Sequence, residues 1–296
     1  MSQDTAQESG ATAGEVVEAR APASGPTFPP PEERMAGSSL ARMLQILDLI
    51  TLGRPAITLE EISREVGYTA STSYRYVREL TNAGLLASIG GGRYALGARV
   101  FELDLLARRT DPVLGAATGF VPALLESIPE GVVMVCELRG SQAVSVLAEK
   151  KPDTLDLHRH RGTTMDLFRG SAAKAILAHL PHRRLARIYA ESADVIADAG
   201  LGADWRSFIK TISALRRQPY ILSQGELDPR NFALATPVFY DTGNIAGSLN
   251  VIVPLRHYDD SLVKSIAPAL IKAAEAINGR LAQLAASHPV FPATGG

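Results

Sequence analysis

The chain of 296 residues has a single cysteine, Cys136, so it holds no intramolecular disulfide and no multi-cysteine metal site. A reducing compartment is the expectation. It also lacks any run of about eighteen apolar residues, and its opening residues, MSQDTAQESG, show no basic segment followed by an apolar core. Neither a membrane span nor a secretion signal is predicted, which points to a cytoplasmic protein with no membrane partner. Net charge is nearly absent too, since 30 Lys and Arg against 31 Asp and Glu give −1. That balance argues against a globally basic, histone-like binder and leaves room for positive charge confined to one surface. What is present in quantity is apolar residue, 46% of the chain, enough to fill two domains of ordinary size.

Residues 1–37 have hardly a large apolar side chain and are rich in Ala, Ser, Gly, Pro and Glu. Such a segment cannot bury enough surface to offset its ordering entropy, so a disordered tail is predicted, with peptide docking by the FPPPEE run as the alternative. Residues 288–296 read as a second frayed tail. From Ser38 to Leu52 the residues Leu40, Met43, Leu44, Ile46, Leu47 and Ile50 follow helical spacing, with Ser38 or Ser39 as cap and Gly53 as stop.

The stretch from Thr58 to Gly84 spells two short amphipathic helices. Thr58 with Glu61 forms a capping box, Leu59, Ile62 and Val66 share a face, and Gly67 ends the helix. Thr69 caps the next helix, whose Tyr76, Val77, Leu80 and Ala83 are predicted to pack inward. Ser71, Thr72, Tyr74, Arg75 and Arg78 are left outside. A face of hydroxyls and arginines suits phosphates and base edges in a major groove, as in a helix-turn-helix. On these residues alone an ordinary surface hairpin of helices fits as well. The following LLASIGGGRYALG reads as a β-hairpin, a wing whose glycine tip and Arg93 can follow a phosphate backbone. As a nucleotide-binding P-loop, GGGR lacks the required lysine and the Ser/Thr after it.

Ala98 to Arg109 is predicted as a helix with Val100, Phe101, Leu103, Leu105 and Leu106 around much of its circumference. So wide an apolar surface on so short a helix calls for burial against both its own domain and a second subunit. Asp111-Pro112 marks a boundary. Beyond it, helix Val113–Ser127, strands over 131–140, 143–149 and 154–162, helices over 171–180, 181–190 and 204–218, a hairpin of 233–239 with 245–253, and a last helix over 261–286 suggest an α+β sheet covered by helices on one side. The domains expected are 38–97 for DNA, 98–110 as linker and 111–287 for a ligand.

In this order these elements resemble the IclR family of bacterial transcriptional regulators. The resemblance rests on SLARMLQILDLI, on LEEISREVGYTASTSYRYVRELTNAGLL with GRYALG, on RGTTMDLFRGSAAKAILAHL, and on ATPVFYDTGNIAGSLNVIVP. It implies a winged helix-turn-helix that binds double-stranded operator DNA, a dimer or dimer of dimers, and a GAF-like second domain that holds a small-molecule effector, most simply as a repressor with no cofactor. Carried over position by position, it puts Met165, Phe168, Gly170, Ser171 and Ala172 on one side of the effector pocket, with Ser223, Ala233, Asn250 and Ile252 opposite. A helix starting near Gly170-Ser171 would offer free amides to a carboxylate. Where members that sense small oxo-acids tend to have Asp, Cys and a Ser-x-Ser pair, this chain has Ser223, Ala233, and Asn250 with Ile252, and where a His is common it has Phe168. The departures favour a bulkier, aromatic carboxylic acid.

Three other chemistries have partial signatures. Ser171-Ala172-Ala173-Lys174 matches the S-x-x-K of acyl-transfer enzymes, without its S-D-N and K-T-G companions. His158 and His160 share a strand face as two metal ligands would, although Arg159 and Arg161 crowd them with positive charge. A helix-turn-helix used only to bind other proteins is the third. Cys136 reads as a core residue, Trp205 as a packing aromatic near a helix start, and His182, Arg183 and Arg184 as solvated surface.

Overall fold

The computed structural model describes residues 38–152, 154 and 160–287. The tails expected at 1–37 and 288–296, and most of the strand expected over 154–162 with His158, lie outside the described residues. Within that last segment His160 to Thr163 form a turn closed by the Thr163 amide on the His160 carbonyl, 3.2 Å.

The first domain opens with α1 (Ser39–Asp48), then β1 (Ile57–Thr58), α2 (Leu59–Val66) and α3 (Ala70–Asn82). Both caps form as their side chains dictate. Thr58 Oγ1 accepts from the Glu61 amide at 3.2 Å while Glu61 Oε2 accepts from the Thr58 amide at 2.8 Å, and Thr69 Oγ1 accepts from the Thr72 amide at 3.3 Å. Ile46, Ile57, Ile62, Tyr76, Val77, Leu80 and Leu86 form the core. Ala83 is the exception to the inward set: it is the C-cap of α3 and exposed, because the helix ends there. Strands β2 (Leu86–Ser88) and β3 (Arg93–Leu96) make the wing, and β1 adds a third strand along β3 that its two residues were too few to announce. Gly90, Gly91 and Gly92 take φ of +91°, +59° and +71°, three consecutive left-handed residues that only glycine adopts without strain.

Helix α4 (Ala98–Thr110) leads out of this domain, and the expected helix 113–127 is broken into α5 (Pro112–Ala117) and α6 (Val121–Glu126). Gly119 and Pro122 cause the break, since the proline ring cannot continue the preceding turn. The second domain is a six-stranded antiparallel sheet in the order β6-β5-β4-β9-β8-β7, from β4 (Val132–Arg139), β5 (Gln142–Lys150), β6 (Thr164–Met165), β7 (Ile221–Gln224), β8 (Asn231–Asp241) and β9 (Asn244–Pro254). β6 and β7 were not expected; the former is two residues long and the latter has polar Ser223 and Gln224 at its end.

The sheet is covered on both faces, not one. Val133, Val135, Leu249, Val251 and Val253 pack against α5, α6 and the last helix α10 (Asp260–Ser287). Val132, Met134, Cys136 and Ile252, one residue out of phase, face α7 (Ser171–Leu177), α8 (His182–Asp198) and α9 (Trp205–Arg216). Continuous apolar runs such as Val132–Cys136 are what burial on both faces demands. Trp205 at the start of α9 packs among Tyr189, Phe208 and His182, so His182 carries an aromatic contact although its residue is exposed.

Candidate functional site

Two surfaces gather functional side chains. On α3, the residues Ser71, Tyr74, Arg75 and Arg78 are exposed and Thr72 is half-buried beside Thr69, while Arg93 is exposed beside the glycine tip of the wing. Behind them Ser73 is fully buried and accepts from Ser63 Oγ at 2.8 Å, which locks α3 against α2. The Arg75 guanidinium lies over the Tyr76 ring, 5.4 Å from its centroid. The sequence reading passed over Glu79, which is also exposed, one turn beyond Arg75. A lone carboxylate towards the C-terminal end leaves the N-terminal half of α3 as the positively charged, hydroxyl-rich part.

The second surface is a cleft between β4, β8 and β9 on one side and the start of α7 on the other. Met165, Gly170, Ser171, Ala172, Ser223, Ala233, Asn250 and Ile252 are brought together along it. Phe168 does not: it is buried in the adjoining core among the α7–α9 helices. Met134, Phe232, Leu227, Glu226, Asp228, Gly225 and Asn231 complete the wall. The start of α7 is also less open than expected. Glu226 Oε2 accepts from the Gly170 amide at 2.9 Å, and Ser223 Oγ accepts from the Ser171 amide at 3.2 Å. The amide of Ala172, still in the first turn, has no intrahelical acceptor. Both rim carboxylates have cationic partners, Glu226 with Lys174 at 2.6 Å and Asp228 with Arg230 at 3.0 Å. Lys174 Nζ is therefore tied to Glu226, and among the described residues it makes no hydrogen bond to the Ser171 hydroxyl that an S-x-x-K nucleophile would need.

The helix-turn-helix domain of the IclR family matches residues 39–89, and the C-terminal domain of the bacterial transcriptional regulator IclR matches residues 110–279. The chain belongs to the IclR family. Family members are transcriptional regulators, and the first domain is accordingly a DNA-binding one. The chain is similar to the helix-turn-helix-type transcriptional regulator KipR of Bacillus subtilis (strain 168), 24% identical over 214 residues that span 72% of this chain and 84% of the relative. Its fold is that of the Thermotoga maritima IclR, with a TM-score of 0.63 at 17% identity over 82% of this chain and 98% of that one. An IclR homologue of Microbacterium hydrocarbonoxydans, complexed with 4-hydroxybenzoate, superposes with a TM-score of 0.66 at 19% identity, covering 82% and 99% of the two chains.

Between the two domains of this IclR-family chain lies a joint that no motif in the sequence announces. Asp111, at the end of α4, caps α5 through Oδ1, which accepts from the Val113 and Leu114 amides at 2.9 and 3.0 Å. One nitrogen of Arg139, Nη2, reaches both Asp111 Oδ2 at 3.0 Å and Glu137 Oε2 at 2.5 Å. Glu137 is 3% exposed, and burial above all, then the neighbouring Asp111 carboxylate, pushes it up to about 8 against the pull of Arg139. Tyr240, half-buried beside this group, is raised to about 12 by desolvation first and then by the neighbouring Glu137 carboxylate. The alternating residues of β4 gave no hint of this, because a glutamate on a strand normally faces water.

Proposed function

We propose that this IclR-family protein is an effector-controlled repressor: α3 and the wing hold operator DNA, and a small carboxylic acid with an apolar, aromatic body occupies the pocket against α7. The observation that carries the reading is the pocket itself, a concave, largely apolar cleft with a few convergent polar groups against the start of α7, which is the general character of a small-molecule site. Its apolar walls are Met134, Met165, Phe232, Ala233, Leu227 and Ile252, and its polar side chains are Ser171, Ser223, Asn231 and Asn250 with the paired Glu226 and Asp228. The Ser223 hydroxyl, whose oxygen already accepts from Ser171, has its proton left to donate to an anion, and the Ala172 amide adds a second donor. Charge on the rim is neutralised by Lys174 and Arg230, so an anion meets no net repulsion there.

Ser71, Thr72, Tyr74, Arg75 and Arg78 read the major groove in this account, and Arg93 touches the phosphates. The unit that binds is a homodimer or a dimer of dimers joined along α4, acting on chromosomal DNA and hence in the cytoplasm. Operator affinity measured by fluorescence anisotropy on the region upstream of its own gene, with acids titrated in, tests the whole. Binding should fall steeply with salt, and aromatic acids should change it where short aliphatic ones do not. A response to glyoxylate or pyruvate alone would rule out the aromatic effector, and salt-independent binding the DNA reading.

A further inference from the structure

Asn250 sits on β9 with no solvent exposure and lines the pocket beside Met134 and Ile252. Its Nδ2 donates to the Met134 carbonyl at 3.2 Å, the Ser248 carbonyl at 3.1 Å and Ser248 Oγ at 3.2 Å. Three acceptors around one nitrogen fix which end of the amide is which. Oδ1 is thereby turned away from them, and it is one of only three buried side-chain polar atoms without a partner among the described residues. A buried acceptor without a donor costs free energy, and a pocket that keeps one is shaped for a ligand that supplies it.

We infer that the pocket selects a hydroxyl-bearing effector whose O–H donates to Asn250 Oδ1. The inference rests on reading this cavity as the effector pocket. A hydroxyl is favoured over an ammonium because Met134, Ile252 and Phe232 offer no counter-charge, and a desolvated cation beside a neutral amide is the costlier partner. Selectivity follows from the same atom. A site built around one buried polar group rejects the analogue that leaves it unpaired far more strongly than an apolar wall rejects a change of shape.

The test is the affinity of the full chain for matched ligands that differ only in the donor: each isomer of hydroxybenzoate against its methoxybenzoate and benzoate, and phenol against anisole, by calorimetry. At least one hydroxyl member should bind about tenfold tighter than its partners. Asn250→Ala, checked for folding by its thermal melt, should bring the pair level; if that variant does not fold, the comparison on the unmodified chain still decides. Preference for phenol with no binding of any benzoate keeps the Asn250 assignment and overturns the carboxylate reading. Equal binding of all the acids keeps the carboxylate reading and overturns the Asn250 assignment. No preference in any pair, including binding of neither member, overturns it as well.

Discussion

Arg75 and Arg78 stand exposed on α3 with no carboxylate salt bridge among the described residues, so on an isolated chain they have water and, for Arg75, the Tyr76 ring as company. Their charge is available to DNA. If they hold DNA as proposed, replacing either with Ala would remove a phosphate or base-edge contact worth roughly 1–3 kcal/mol, and operator affinity should drop by about ten- to a hundredfold. Oligomeric state should stay unchanged by light scattering; unaltered affinity would mean that α3 does not enter the groove. Glu137 carries a different prediction. Its folded value of about 8 lies above the ordinary 4.5, so its contribution to stability is complete below 4.5 and is lost as pH rises through 8. His179, lowered by burial, acts in the opposite sense below its ordinary 6.5. The diagnostic is therefore the difference between variant and parent: Glu137→Gln should gain melting temperature relative to the unmodified chain as pH is raised from 4.5 to 8. A constant difference would mean that Glu137 does not change protonation there. These residues also mark how far the sequence could be read. Ser71 to Arg78 follow from helical spacing alone, whereas the setting of Glu137 beside Asp111, of Glu226 beside Gly170 and Lys174, and of Phe168 within the core depends on which elements the fold brings together, and no local pattern encodes that.

Helix α4 was legible as an element and also as an incomplete one. None of its residues is buried within the chain, and Phe101 at 71%, Leu106 at 54%, Leu105 at 50% and Leu103 at 45% remain exposed. Burying such a side chain is worth about 1.5–3 kcal/mol, so four left in water are a strong drive to association. A second copy is the occupant proposed here, and Leu40 at 67% and Leu44 at 48% on α1 extend the same apolar character. Phe101→Glu, or Leu105→Glu, should shift sedimentation towards monomer and with it weaken binding to an operator of two half-sites; a dimer that survives both changes must be joined elsewhere. By contrast the break between α5 and α6, and the covering of both sheet faces, were missed. Periodicity over 113–127 is satisfied equally by one helix or two, and an apolar run on a strand does not say how many layers cover it.

In the proposed effector-controlled regulator, coupling between pocket and DNA would cross α4, and side-chain contacts there supply a short path for it. Met165 lines the pocket on β6, which is paired to Ala143 and Val144 of β5. The turn just before β6 holds Arg161, whose Nε donates to the Val146 carbonyl at 2.8 Å and whose guanidinium forms an ion pair with Asp104 in the middle of α4. Arg161 thus ties the turn before β6 to the linker helix, and the Asp111–Arg139 pair is a second tie at the helix's end. Allostery is a coupling free energy, and removing the tie should remove the coupling while sparing both binding sites. Arg161→Ala should bind effector and operator each with affinity near that of the parent, but the factor by which one changes the other, typically about 5–150-fold in such systems, should fall towards one. Asp104→Ala, which breaks the same pair from the other side and also frees Arg108 within α4, should do likewise, and in coupling the double variant should lose no more than either single one, since the Arg161–Asp104 pair is the contact the two share. Losses that add would mean that Arg161 and Asp104 act separately, and an undiminished response in both would place the coupling at the Asp111–Arg139 end.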